Sequence, residues 1–98
     1  MAIYTYKNGL KEGLAEYRNS YGYVEICTYK NGVKEGPAKY IYGNEIEICT
    51  YKNGVKDGEA KIEKLNSGVT EIFSYKNGIK EGTVQRIHKD GRVEVFNY

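Results

Sequence analysis

An all-β fold, an elongated single-layer antiparallel meander of about nine strands, is predicted for this 98-residue chain by three features of its sequence. A unit of 22–24 residues recurs four times. Each unit joins a short β-branched and aromatic run to an Asn-Gly pair. No segment has the periodicity and length of a helix.

The repeat sets the element order. Tyr-Lys-Asn-Gly begins at Tyr6, Tyr29, Tyr51 and Tyr75, and each copy continues with an aliphatic residue, Lys, an acid and Gly. The five residues ending at each tyrosine are related as well: AIYTY, EICTY, EICTY and EIFSY, with a last copy EVFNY at the end of the sequence given. The units start near residues 2, 25, 47 and 71, and a truncated unit covers 94–98, all read as one domain over 1–98. Second strands are expected over Leu14–Arg18, Pro37–Tyr42, Glu59–Lys64 and Thr83–His88, closed by turns rich in Gly, Asn, Ser and Asp. Nine strands at about 4.8 Å each give a sheet close to 40 Å across.

Each hairpin can close in two ways. The chain either turns tightly at Asn31-Gly32 and bulges at Gly36, or loops over the whole stretch from Asn31 to Gly36. Pro37 favours the longer loop, because Pro is tolerated at a strand's first residue and poorly within a ladder. On that reading Tyr29 lies opposite Ala38, and Cys27 opposite Tyr40.

Composition narrows the function classes. Fifteen Lys and Arg against 13 Asp and Glu leave a formal charge of +2, too balanced for whole-molecule attraction to nucleic acid. No apolar run approaches the roughly 18 residues that span a bilayer, and the N-terminal residues lack the blocks of a signal peptide. A cytoplasmic protein is the simplest expectation. Two cysteines, Cys27 and Cys49, exclude a disulfide-rich scaffold. As repeat equivalents they should stand about 9.6 Å apart, two strands, and remain free thiols.

Strand alternation puts Tyr4, Tyr6, Tyr17, Cys27, Tyr29, Tyr40, Cys49, Tyr51, Ile62, Phe73, Tyr75, Phe96 and Tyr98 on one face. That face reads as the core of a thin sheet or, where it stays open, as a groove. Its rings Tyr4, Tyr6, Tyr17, Tyr29, Tyr40, Tyr51, Phe73, Tyr75, Phe96 and Tyr98 are the candidate partner-binding residues, since aromatic side chains anchor interfaces. The other face carries Ile26, Ile48, Ile72 and Val95 among Thr, Ser, Lys and Gln. It and the two edge strands are candidate self-association surfaces. Lys7, Lys11, Lys30, Lys34, Lys52, Lys56, Lys76 and Lys80 flank the turns as a candidate charged rim for steering or phosphate contact. Glu25, Glu47, Glu71 and Glu94 form a spaced acidic column, read as a solvated margin or as partners for lysines and tyrosine hydroxyls.

Catalysis is not expected. His88 is the one histidine, no CxxC pair occurs, and the glycines belong to turns rather than to a phosphate loop. No cofactor or metal is implied.

An aromatic followed by Gly three residues on, and Gly again four further on, in a unit of this length resembles the MORN (membrane occupation and recognition nexus) repeat. The likeness runs from Ile3 to Tyr98, with glycines matching at Gly9/Gly13, Gly32/Gly36, Gly54/Gly58 and Gly78/Gly82. Tyr6, Tyr29, Tyr51 and Tyr75 stand where that family often has Trp, and Ala15, Ala38, Ala60 and Val84 replace its third Gly. The chain is thus similar to a divergent, short bacterial or phage-type variant. The resemblance implies a twisted sheet of hairpins used for binding. By analogy with short antitoxin-like relatives, the expected action is to occupy a partner protein's surface, as an antitoxin or a mobile-element inhibitor of a nuclease or defence enzyme does. A self-associating scaffold, and binding of anionic lipid or nucleic acid through the lysine rim, are the alternatives.

Overall fold

The computed structural model describes residues 2–97, and every regular element in it is a strand. In chain order these are β1 (Ala2–Ile3), β2 (Tyr6–Lys7), β3 (Leu10–Lys11), β4 (Gly13–Arg18), β5 (Tyr23–Lys30), β6 (Val33–Lys34) and β7 (Gly36–Tyr42). They continue as β8 (Glu45–Lys52), β9 (Val55–Lys56), β10 (Gly58–Lys64), β11 (Val69–Lys76), β12 (Ile79–Ile87) and β13 (Val93–Asn97). Nine of them form one open antiparallel path, β1-β4-β5-β7-β8-β10-β11-β12-β13, with β6 and β9 as short additions to β5 and β8 and with β2 paired to β3. The meander is the predicted one, 49 Å along its longest axis and 16 Å along its shortest.

The hairpin tips are tighter than the longer-loop reading. Asn31 has φ of 52° and Gly32 of 82°, the paired positive angles of a type I′ turn. Tyr29 pairs with Lys34 and Lys30 with Val33, so the ladder resumes directly after the turn. Three residues further down, Ile26 pairs with Lys39. Between these pairs lie Cys27 and Thr28 on one side and Glu35 to Ala38 on the other, a bulge of two extra residues. Gly36 makes it feasible with φ of 86°, and the Glu35 N–H closes it by donating to the Thr28 carbonyl at 2.9 Å. Pro37 therefore sits in a bulge, where the missing N–H costs β5 no ladder bond.

This corrects the expected register. Glu25, not Cys27, faces Tyr40. The offset is two residues, so every side chain keeps the face that alternation assigned it; a slip of one would have inverted them all. The same offset recurs in the other three units, between Ile3↔Glu16 and Tyr6↔Lys11, between Ile48↔Lys61 and Tyr51↔Lys56, and between Ile72↔Gln85 and Ser74↔Glu81.

Packing follows from the bulge. Tyr29, Tyr51 and Tyr75 come to lie opposite Gly13, Gly36 and Gly58, which leave room for a ring. The small residues two positions on, Ala15, Ala38 and Ala60, are buried together with Cys27, Tyr40, Cys49, Phe73, Tyr75 and Val84. The core is thus one face of the sheet, floored by small side chains and roofed by rings. Both cysteines are free and buried within it. On the opposite face a straight cross-strand row alternates Ile26, Lys39, Ile48, Lys61, Ile72, Gln85 and Val95.

Successive tips also stack. The N–H groups of Gly32, Gly54 and Gly78 donate to the carbonyls of Lys11, Lys34 and Lys56 of the preceding tips at 2.8–3.0 Å. Leu10, Val33 and Val55, the aliphatic residues after the first three turns, lie beside Gly32, Gly54 and Gly78 of the following tips.

Candidate functional site

The aromatic face is organised by one cross-strand row: Ala2, Tyr17, Glu25, Tyr40, Glu47, Ile62, Glu71, Arg86, Glu94. The acidic column therefore lies on the ring face and not along a margin. Its members are engaged. Glu25 accepts from Lys34 Nζ at 2.7 Å and from the Tyr23 hydroxyl at 3.2 Å. Glu47, only 7% exposed, accepts from Lys56 Nζ at 3.0 Å and from the Tyr75 hydroxyl at 3.3 Å. Glu71 is held by Arg86 at 2.9 Å and Lys64 at 3.5 Å, and Glu94 pairs with His88.

The eight rim lysines separate into two sets. Lys7, Lys30, Lys52 and Lys76, before the turns, are exposed. Lys11, Lys34 and Lys56, after the turns, bend inward and are half-buried against rings. Lys11 Nζ lies 4.0 Å from the Tyr4 ring centre and 5.0 Å from Tyr29; Lys34 lies 5.2 Å from Tyr51 and 5.7 Å from Tyr40. Lys56 lies 5.1 Å from Tyr75 and 5.2 Å from Tyr40. Each of these three ammonium groups thus reaches the tyrosine of the next unit and ties two repeats by a cation–π contact. Lys80, exposed, stands over Phe73 at 4.8 Å.

Proton affinities follow these contacts. Burial alone would lower Lys34 and Lys56; the hydrogen bonds and charges of Glu25 and Glu47 outweigh it and raise both. Burial, then the carboxylate beside each, pushes Tyr23 and Tyr75 up to about 12. Burial likewise raises Tyr40, whose hydroxyl bonds that of Tyr51, and lifts the Cys49 thiol to about 11. A thiol so placed is a packing group rather than a nucleophile. Among the described residues no group of three His, Cys, Asp or Glu side chains is placed to hold a metal ion.

The candidate rings occupy three environments. Tyr40, Phe73 and Tyr75 are buried; Tyr4, Tyr29 and Tyr51 are half-buried; Tyr6, Tyr17 and Phe96 are exposed at 60%, 37% and 37%. Tyr98 lies outside the described residues. A further ring, Tyr42, is 44% exposed and was not among the candidates. It continues a chain of contacts from buried Tyr40 (centroids 6.2 Å apart) through Tyr23 (5.2 Å) to Tyr17 (6.0 Å). Its place two residues after Tyr40, on the same face, was the available signal.

A single-layer sheet built of bulged hairpins, each tied to the next by a lysine, defines a β-hairpin repeat protein. Residues 28–45, from Thr28 through the turn, the bulge and β7 to Glu45, match the family model of the MORN repeat. The chain carries a MORN repeat there, and the same pairing and bulge recur in the other units. A MORN repeat points to a binding or structural element rather than a catalytic one, directed at proteins or membranes. No curated protein matches the chain. Among the described residues no helix is long and apolar enough to cross a membrane.

Proposed function

We propose that the chain is a non-catalytic module that acts by covering part of a partner protein, as an antitoxin or a mobile-element inhibitor covers a nuclease or defence enzyme. The observation that carries this reading is the ring chain Tyr40–Tyr42–Tyr23–Tyr17. It starts in the core at Tyr40, and two of its rings, Tyr42 and Tyr17, are 44% and 37% exposed. Rings anchored at one end and open at the other lose little conformational entropy on docking, and tyrosine supplies both apolar area and a hydroxyl. The exposed Lys7, Lys30, Lys52 and Lys76 would steer the encounter without dominating its strength.

The test is affinity purification of the tagged chain from its native cell, followed by variants. A stoichiometric protein complex that survives Lys→Glu changes at Lys7, Lys30, Lys52 and Lys76 but is lost on joint Tyr17→Ala and Tyr42→Ala supports the reading. Capture of lipid or nucleic acid that collapses with salt and with the lysine changes overturns it. Concentration-dependent self-association through the edges or the Ile/Lys face, with no second protein, also overturns it.

A further inference from the structure

Four lysines stand nine positions after equivalent residues of the preceding strand: Ala2–Lys11, Glu25–Lys34, Glu47–Lys56 and Glu71–Lys80. Strand pairing confirms the equivalence, because Ala2, Glu25, Glu47 and Glu71 face Tyr17, Tyr40, Ile62 and Arg86 in the same row. In the second and third units the glutamate closes the cage around its lysine, at 2.7 and 3.0 Å. In the first unit the cage stands without its acid. Lys11 lies between the rings of Tyr4 and Tyr29, 4.0 and 5.0 Å away, half-buried, and among the described residues no carboxylate pairs with it. The residue in the glutamate's place is Ala2, which is exposed.

We infer that the first unit is a carboxylate-binding site, in which an acidic side chain of a partner protein takes the place that Glu25 and Glu47 hold in their own units and bonds Lys11 Nζ. The inference rests on the reading of the chain as a protein-binding module and names the chemistry of what it meets. Three features favour an acid over a neutral group. An ammonium already partly stripped of water by two rings gains more from an anion than a fully hydrated one does. Along the row the next acid, Glu25, stands two strands, about 9.6 Å, from the place that Ala2 holds, the spacing that separates Glu25 from Glu47 within the fold. Glu25 is also occupied, by Lys34 and by the Tyr23 hydroxyl. The other acid bordering the niche beside Tyr4 and Tyr17 is Glu16, which is paired with Arg18.

The probe is a blocked pentapeptide with one central glutamate, compared with the same peptide carrying glutamine, and read by NMR at the lysine side-chain signals. The glutamate peptide is expected to shift Lys11 saturably, and the glutamine peptide to bind about tenfold more weakly or worse, the scale of one charge-assisted hydrogen bond. Ala2→Glu should fill the site from within. It should move the Lys11 signal toward those of Lys34 and Lys56 without peptide, abolish the peptide response, and raise the melting temperature by about 4 °C. The inference is overturned if the two peptides act alike, if Lys7, Lys30 and Lys52 shift as much as Lys11, or if Ala2→Glu leaves the peptide response intact. The wild-type peptide comparison needs no variant to fold. A failure here, with the tyrosine-dependent complex still formed, removes the acidic site and leaves the protein-binding reading standing.

Discussion

The middle of the array and its two ends are written in the same repeat but face different physical problems. In the third unit Glu47 is 7% exposed, and Cys49 and Ala60 are each 2% exposed, because neighbours cover the unit on both sides. At the last unit Arg86 occupies the slot of Tyr17, Tyr40 and Ile62, lies over the Phe96 ring at 4.9 Å, and neutralises Glu71 from the neighbouring strand. Val93, Val95 and Phe96 remain exposed there. At the first unit Ala2 removes the acid altogether. In a stacked array each unit is buried by its neighbours, so a charged pair that is inexpensive at an end becomes a half-desolvated one in the middle. The interior can therefore be broken in ways that the ends cannot.

The largest contrast should appear with pH. Tyr75 and Tyr23, raised to about 12, keep their protons in the folded state while the unfolded chain loses them near pH 10. The stability they contribute is complete below pH 10 and is lost as pH climbs towards 12, on the order of 2 kcal/mol for buried Tyr75 alone. Lys34 and Lys56, also raised, add to the loss in the same direction above their unfolded values. The last unit contributes on the acid side. Burial would raise the Glu71 carboxyl, but Arg86 and Lys64 outweigh it and hold it below its ordinary value, so its contribution is present above about pH 4.5 and fades below. Urea unfolding midpoints should fall steeply from pH 10 to 12, and the Arg86→Gln variant should flatten only the acid limb. An alkaline limb as flat as the neutral range would break the assignment of the middle units as the desolvated ones.

Glu47→Gln should cost about 3 kcal/mol, because it strands the Lys56 ammonium and weakens the acceptor of the Tyr75 hydroxyl in the least accessible part of the row. Glu25→Gln, where the glutamate side chain is 21% exposed against 9% for Glu47, should cost nearer 1 kcal/mol. Chemical denaturation of the two variants in low salt measures the difference directly. Equal losses would mean that the second and third units are equally buried in solution.

Much of this was legible in the residues, and what was not has identifiable causes. The Asn-Gly turns, the nine-strand path and the two faces follow from spacing and alternation. The register did not follow, because the bulge is held by a backbone bond from Glu35 N–H to the Thr28 carbonyl that no side-chain pattern announces. The face assignment survived that error because the offset is even. Strand parity already placed Glu25 beside Cys27 and Tyr29, yet a recurrent acid reads naturally as surface; its burial depends on Lys34 arriving from the far side of the turn. The inward lysines were hidden for the same reason, since the ring that Lys11 covers belongs to the next unit, at Tyr29.

The smallest contrast isolates the stacking of the tips. Gly9 and Gly54 both hold positive φ, 79° and 86°, so an alanine at either position pays the same left-handed strain, roughly 1 kcal/mol. Only Gly54 has a neighbour: a Cβ there would stand 3.0 Å from the Val33 side chain of the preceding tip, whereas a Cβ on Gly9 would meet nothing within 4 Å. Val33 is β-branched and 42% exposed, so it can yield only by rotating out over the turn. That rotation would strain the approach of the Gly54 N–H to the Lys34 carbonyl, 3.0 Å apart, and through Lys34 the cage around Glu25. Gly54→Ala should therefore destabilise by about 1 kcal/mol more than Gly9→Ala, and amide exchange at residue 54 should quicken by about tenfold with it. Equal losses for the two variants would show that the tips stand side by side without bearing on one another. The strand ladders between units and the lysine cages would then carry the coupling between repeats.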